Sequence, residues 1–363
     1  MERRRIKEVI DMHKKVIIKI GTSVITKENG ELDIAAIKQI VEQVSWLRKK
    51  NIDVILVSSG AMGAGRGVIS LGKKSNDVTK RQVLAAVGQV SLMKTYQKLF
   101  DAFGLVCAQV LASKDDFRDR QHFLNMKNCF EGLLDNKVIP IVNENDVVSV
   151  TELMFTDNDE LAGLVAGMMD VDVVMLLSTV GGVIDGDGDV IAQFDPGDTR
   201  WRDVISSHKS SFGRGGMLTK CKMAQKLSAI GITTHILDGR QKGSVVDAMK
   251  NRDIGTTFVA QKRSLSAVKK WIAYSDGYEK GVVHINECAD PVLRDKQKAR
   301  SLLPVGVTKI DGYFEKGDVV KIKNHKNKTI GFGKVEYGSS VAYSYIGQKG
   351  RKPLVHYDYL YLV

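Results

Sequence analysis

Three segments of this 363-residue chain combine an apolar run, small turn residues and cationic or hydroxyl side chains. In "VIIKIGTSVIT", residues 16–26, Lys19 interrupts a β-branched run just before Gly21, Thr22 and Ser23. An ammonium there either reaches solvent along its stem or meets an anion, because burying it unpaired is costly. Gly21 would let backbone amides approach that anion closely. In "VILVSSGAMGAGRG", residues 54–67, Ser58 and Ser59 lead into Gly60, Gly63, Gly65 and Gly67. In "SSFGRGGMLTKCKMAQKL", residues 210–227, Gly213, Gly215 and Gly216 precede a helical pattern carrying Lys220. Glycine-rich turns and helix starts present N–H donors to phosphate. Each segment alone has a plain alternative: an edge-strand lysine in solvent, a tight packing turn, a glycine-rich surface loop. Together they fit a polyphosphate bridging two walls of one cleft. Their spacing matches neither GxxxxGK[ST] nor GxGxxG, which disfavours both common nucleotide folds.

A fourth stretch, "VIPIVNENDVVSVTELMFTDNDELAGLVAG" at 138–167, supplies the opposite chemistry. An apolar run ends in Asn143, Glu144, Asn145 and Asp146, and Asp157, Asn158 and Asp159 follow before an apolar helical pattern. Carboxylates and carboxamides suit an ammonium ligand, or they orient lysines and solvated magnesium. Asp157 before "NDELAGL" reads as a helix cap. Asp146, Asn158 and Asp159 together ask for more than capping.

The elements that must position these residues are short apolar strands at 16–20, 54–57, 138–142, 173–177 and 235–237, with helical patterns at 33–50, 81–100, 119–135, 157–169 and 216–230. Strands apolar on both faces, alternating with helices, predict an α/β fold: a mainly parallel sheet sandwiched by helices. Ligands of such sheets sit beyond the carboxyl ends of the strands. "LGKKSNDVTK" at 71–80 reads as a mobile loop. Near residue 275 the pattern changes to short alternating segments rich in glycine, including "GVVHI", "GVTKIDGYFEKGDVVKIKN" and "LVHYDYLYLV". The expected division is 1–274 and 275–363, the second a small β-rich domain.

The composition is that of an ordinary globular protein, 43% hydrophobic and 26% charged, with no apolar run of membrane-spanning length. The start, "MERRRIKEVIDMHKK", lacks a signal-type apolar core, and Cys107, Cys129, Cys221 and Cys288 are scattered, so a cytoplasmic location is expected. The net charge of +12 suits an anionic ligand, nucleotide or RNA, and equally a lysine-rich solvated surface.

In this order, "KIGTSVIT", "SSGAMGAGR", "QVLAAVGQ", "FLNMKNCFEGLLDNKVIPIVNENDVV", "DNDELA" and "GRGGMLTK" resemble the amino acid kinase family. Within it, "NEND" with "DND" downstream is similar to members that phosphorylate glutamate. The segment "SLLPVGVTKIDGYFEKGDVVKI" resembles a PUA domain.

The resemblance implies ATP-dependent phosphorylation of the γ-carboxylate of L-glutamate, the first step of proline biosynthesis, with magnesium held mainly by ATP oxygens and no protein metal cage. By position it implies catalytic roles for Lys19, Asp159 and Lys220, with Asp159 holding the two lysines. Ser59, Asp146 and Asn158 would bind glutamate, Asp146 facing its ammonium. Nucleotide contacts would come from Lys19, Gly21, Ser178 and Thr179, and from Arg214, Gly215, Gly216, Met217, Leu218, Thr219 and Lys220. The chain departs from the family pattern at Thr179, where an Asp is usual, and at Arg214, where a Thr is usual; both fall in the expected ATP site. The resemblance also implies a homo-oligomer and feedback by proline. The competing readings are a kinase of another substrate and an RNA binder using the PUA-like region, whose 276–363 stretch carries 15 Lys and Arg against 10 Asp and Glu.

Overall fold

The computed structural model describes residues 14–71, 76–149, 157–207, 214–262, 265–274, 277–295 and 299–363. The N-terminal arginines, Gly213 and the polar stretch at 275–276 lie outside the described residues.

The β-branched runs form eight strands of one sheet. These are β1 (Lys15–Ile20), β2 (Asp53–Ser58), β3 (Cys107–Ala112), β4 (Ile139–Glu144), β5 (Val173–Ser178), β6 (Gln193–Phe194), β7 (Thr233–Asp238) and β8 (Thr256–Phe258), in the order β3-β4-β2-β1-β5-β7-β8-β6. Neighbours pair in parallel except β7 with β8. The expected α/β fold is the one observed. β3 was not among the expected strands. It lies at the sheet edge, is only half-buried and carries Gln109 outward, so it lacks the continuous apolar run that marks an interior strand.

β1 sits at the centre, between β2 and β5. The edge-strand alternative for Lys19 is therefore excluded. Side chains alternate along a strand. Val16, Ile18 and Ile20 enter one core with the Ile34–Lys49 and Asp77–Asp101 helices, which sends Ile17 and Lys19 to the other face.

The 71–80 stretch is not a loop throughout. Asn76 Oδ1 accepts from Thr79 N at 2.7 Å, and the helix begins at Asp77. Among the described residues of this stretch, Asn76 is an N-cap and 77–80 form the first turn; residues 72–75 lie outside the described residues.

Glycines bring the Ala61–Arg66 helix against the Asp77–Asp101 helix, backbone to backbone. A Cβ on Gly88 would lie 1.7 Å from Ala61 O and 2.3 Å from Gly65 N. We expect Gly88→Ala to cost at least about 1–3 kcal/mol, because backbone, not a movable side chain, blocks the methyl. A denaturant midpoint equal to that of the unsubstituted protein would contradict this.

The chain divides into two compact units, Met1–Ser113 with Asn128–Ser264, and Lys114–Lys127 with Leu265–Val363. The division differs from the single cut expected at 274/275. In the second unit, β9 (Gly281–Ile285), β10 (Val307–Gly312), β11 (Val319–Lys323), β12 (Thr329–Val335) and β13 (Val355–Leu362) form a sheet in the order β10-β9-β11-β12-β13. The Ala267–Tyr274 helix belongs here because Ile272 is buried with Val319 and Phe332, and Trp271, Tyr359 and Tyr361 pack against that cluster. Phe123, in the 114–127 segment, packs against Trp271 with ring centroids 4.8 Å apart and the rings tilted by 37°. Local pattern could not reveal this: residues 119–135 read as an ordinary helical pattern, and 267–274 was not among the expected helices.

Candidate active site

At the carboxyl end of β1, Lys19 is 5% exposed, and its neighbours across the sheet are Val57 and Leu176. Its ammonium lies 2.6 Å from Oδ1 of Asp159, which is fully buried. Lys220 Nζ donates to Oδ2 of the same carboxylate at 2.8 Å. Two ammoniums thus share one carboxylate, leaving a net charge of about +1 at the strand ends, as formal charges dictate. Burial pushes the Asp159 carboxyl up, but Lys19 and Lys220 together outweigh it and hold it below the ordinary carboxylate range.

Local chemistry explains how Asp159 arrives there. Asp157 caps the Asn158–Met169 helix, its Oδ1 accepting from Asp159 N at 2.9 Å and Glu160 N at 3.1 Å. The cap was legible in the sequence. Thr219 Oγ1 donates to the other Asp157 oxygen at 2.8 Å, tying this helix start to the Arg214–Ala229 helix that carries Lys220.

Beside this trio is an open cleft of about 290 Å³. One wall is the turn after β2, where Gly60 takes φ +102°, a conformation that favours glycine. Asn158 Nδ2 donates to Ser59 Oγ at 2.7 Å and to Asn143 Oδ1 at 3.1 Å. Asn143 in turn donates to Gln89 Oε1 at 3.0 Å. Arg81, Asn143, Glu144 and Asp146 also line the cleft. Arg81 reaches Asp146 Oδ1 through Nη2 at 3.0 Å and Nε at 3.2 Å, and Glu144 Oε2 lies 3.9 Å from Nη2.

The structure therefore brings Lys19, Asp159 and Lys220 together, and it gathers Ser59, Asp146 and Asn158 around one cleft with Lys19. Gly21 follows Lys19, with its N–H donated to Leu177 O at 3.2 Å. Ser178 ends β5 and Thr179 is exposed after it. Gly216 is exposed, while Met217, Leu218 and Thr219 are half-buried in the first turns of the Lys220 helix. Arg214 and Gly215 start that helix, and their side-chain environment lies outside the described residues. Among the described residues, Gly21, Ser178, Thr179, Gly216, Met217, Leu218, Thr219 and Lys220 are not part of the cleft lining, whereas Lys19 is. Sequence reading missed Arg81, Gln89 and the wall position of Asn143. Asn143 stood in the quoted acidic stretch. Arg81 had no local signal, since a basic residue near a helix start is commonplace.

Residues 14–238 match the amino acid kinase family, and residues 281–357 match the PUA domain. The chain belongs to the amino acid kinase family. Its similarity extends to curated proteins named glutamate 5-kinase. It is 48% identical to that of Chlorobaculum tepidum (97% of this chain, 98% of the relative) and 44% identical to that of Bacteroides thetaiotaomicron (96% and 98%). It is 35% identical to that of Thermotoga maritima over 97% of this chain and 100% of the relative. Among solved structures, an N-acetylglutamate synthase from Neisseria gonorrhoeae superposes with a TM-score of 0.52 at 12% identity, covering 72% of this chain and 63% of that one, a likeness of fold.

Proposed function

We propose that this chain transfers the γ-phosphoryl group of ATP to the side-chain carboxylate of L-glutamate, giving L-glutamyl 5-phosphate and ADP, the first step of proline biosynthesis. The observation that carries the reading is the Lys19–Asp159–Lys220 trio beside a cleft lined by Ser59, Asn158 and Asp146. The near-full-length similarity to glutamate 5-kinases supports the choice of substrate.

A carboxylate oxygen attacks phosphorus and the bond to the ADP oxygen breaks. The nucleophile is already an anion, so no general base is needed. Such a transfer asks the protein for positioning and charge neutralisation. Lys19 and Lys220 supply the charge, and Asp159 fixes both ammoniums so that they need not reorganise as the phosphoryl group moves. Ser59 and Asn158, already hydrogen-bonded to each other, orient the incoming amino acid. Magnesium arriving on ATP would add further neutralisation when bound. Both oxygens of Asp159 are engaged by lysines, which fits a metal carried mainly by phosphate oxygens.

The test is release of ADP by the full chain as glutamate is varied, with the acyl phosphate trapped by hydroxylamine. ADP release that ignores glutamate, or that saturates equally with aspartate, would overturn the reading.

Asp146→Asn should raise the KM for glutamate roughly thirtyfold, about 2 kcal/mol for loss of a largely desolvated charge contact, with ATP affinity much less affected. Equal loss for both substrates in initial-rate kinetics would assign Asp146 a structural role in its turn.

A further inference from the structure

We propose that Arg81 binds the α-carboxylate of the amino acid substrate, so that Arg81 and Asp146 together read its zwitterionic head. The inference rests on glutamate being the substrate, and it adds a residue that neither sequence reading nor similarity assigned.

Charge accounting leads to Arg81. Glutamate brings two carboxylates and one ammonium into the cleft. Its γ-carboxylate goes to the phosphoryl group, where Lys19 stands. The α-ammonium has Asp146 and Glu144 as anionic partners. The α-carboxylate needs a cation, because leaving it unpaired in a cleft of this kind is costly. Among the described residues lining the cleft, the cationic side chains are Lys19 and Arg81. Lys19 is held at the phosphoryl end by Asp159, which leaves Arg81.

The geometry suits an exchange. Arg81 and Asp146 form an ion pair with each other at 3.0 Å. An amino acid's head group carries the same two charges side by side. When it enters, Asp146 passes to the ammonium and Arg81 to the α-carboxylate. One ion pair becomes two, and no charge is left without a partner, the condition under which desolvated ion pairs are tolerated. The guanidinium is also the side chain whose fork of N–H donors matches a carboxylate. Next to it, Gln82 Nε2 donates to Val147 O at 2.7 Å, holding this helix start to the turn that carries Asp146 while the pair exchanges partners.

The alternative role for Arg81 is to hold Asp146 in place, and a cycle of variant against substrate separates the two. The full chain and Arg81→Gln are assayed with glutamate and with 4-aminobutyrate, which is glutamate without the α-carboxylate. Where turnover of 4-aminobutyrate is too slow, its inhibition constant against glutamate is used. Arg81→Gln should lower kcat/KM for glutamate about 100-fold, mostly through KM, and change the 4-aminobutyrate value by less than about threefold, since that ligand has lost the same contact already. Arg81→Lys should recover part of the glutamate loss. A thermal melt of each variant checks that it is folded. If both ligands weaken equally, or if glutamate is unaffected, the assignment of Arg81 falls. If the unsubstituted protein shows no glutamate-dependent ADP release, the proposed substrate falls instead, before any variant is compared.

Discussion

Lys19→Met should reduce kcat with glutamate at least about 100-fold while changing the KM for glutamate by only a few-fold. The size follows from removing a preorganised charge aimed at the transferring group, a contact that strengthens as charge develops in the transition state. Lys19 meets the structural conditions for that role. It is buried at the end of a central strand and held 2.6 Å from a carboxylate, so its position costs nothing to establish at the moment of reaction. Methionine keeps the length and apolar character of the stem and removes the ammonium. The fold should survive, because Asp159 keeps Lys220 as a partner at 2.8 Å. Single-turnover kinetics and a thermal melt together decide the matter: near-normal turnover in a folded variant would remove Lys19 from the chemistry.

Asp159→Asn should be more damaging, since it strikes activity and stability together. The substitution leaves the buried Lys19 and the half-buried Lys220 ammoniums without the carboxylate that both engage. Removing one partner from a buried ion pair costs about 3–5 kcal/mol. Turnover should fall at least as far as in Lys19→Met, because both lysines lose their fixed positions. The pH dependence gives a separate check. The folded-state pKa of Asp159 is depressed, so its stabilisation is fully present above the unfolded carboxyl value of about 3.9 and is lost as pH falls through the lower folded value. The stability gap between the two proteins should therefore be flat from neutral pH down to about pH 5 and should narrow only in stronger acid. A gap that widened on acidification would mean that Asp159 is not held ionised by the two lysines.

Much of this arrangement could be read without coordinates. The strands β1, β2, β4, β5 and β7 came from apolar runs. The Asp157 cap came from residue type and spacing, and the β-rich end came from alternation and glycine. Reading 71–80 as a loop failed over 77–80 because Asn76 and Asp77 were weighed as polar residues and not as the start of a helix. β3 escaped because an edge strand needs no second apolar face.

The sequence alone determined the local conformations and the kinds of chemistry available: lysines and glycines for phosphate, carboxylates and carboxamides for an ammonium group or for orienting lysines. These follow from properties each segment carries by itself, namely side-chain period, capping and backbone freedom. Tertiary structure decided which of those groups meet. It made Lys19 a buried central-strand residue in place of an edge lysine, and it set Asp159 between Lys19 and Lys220, the latter 61 residues away. It paired Arg81 with Asp146 across 65 residues and joined the 114–127 segment to the second unit. Such partnerships depend on strand order and on how helices cover the sheet, and neither is written in the local pattern of any one segment. A lysine in a β-branched run has the same sequence signature at the centre of a sheet as at its edge, and only the neighbouring strands determine whether it is dry enough to need Asp159.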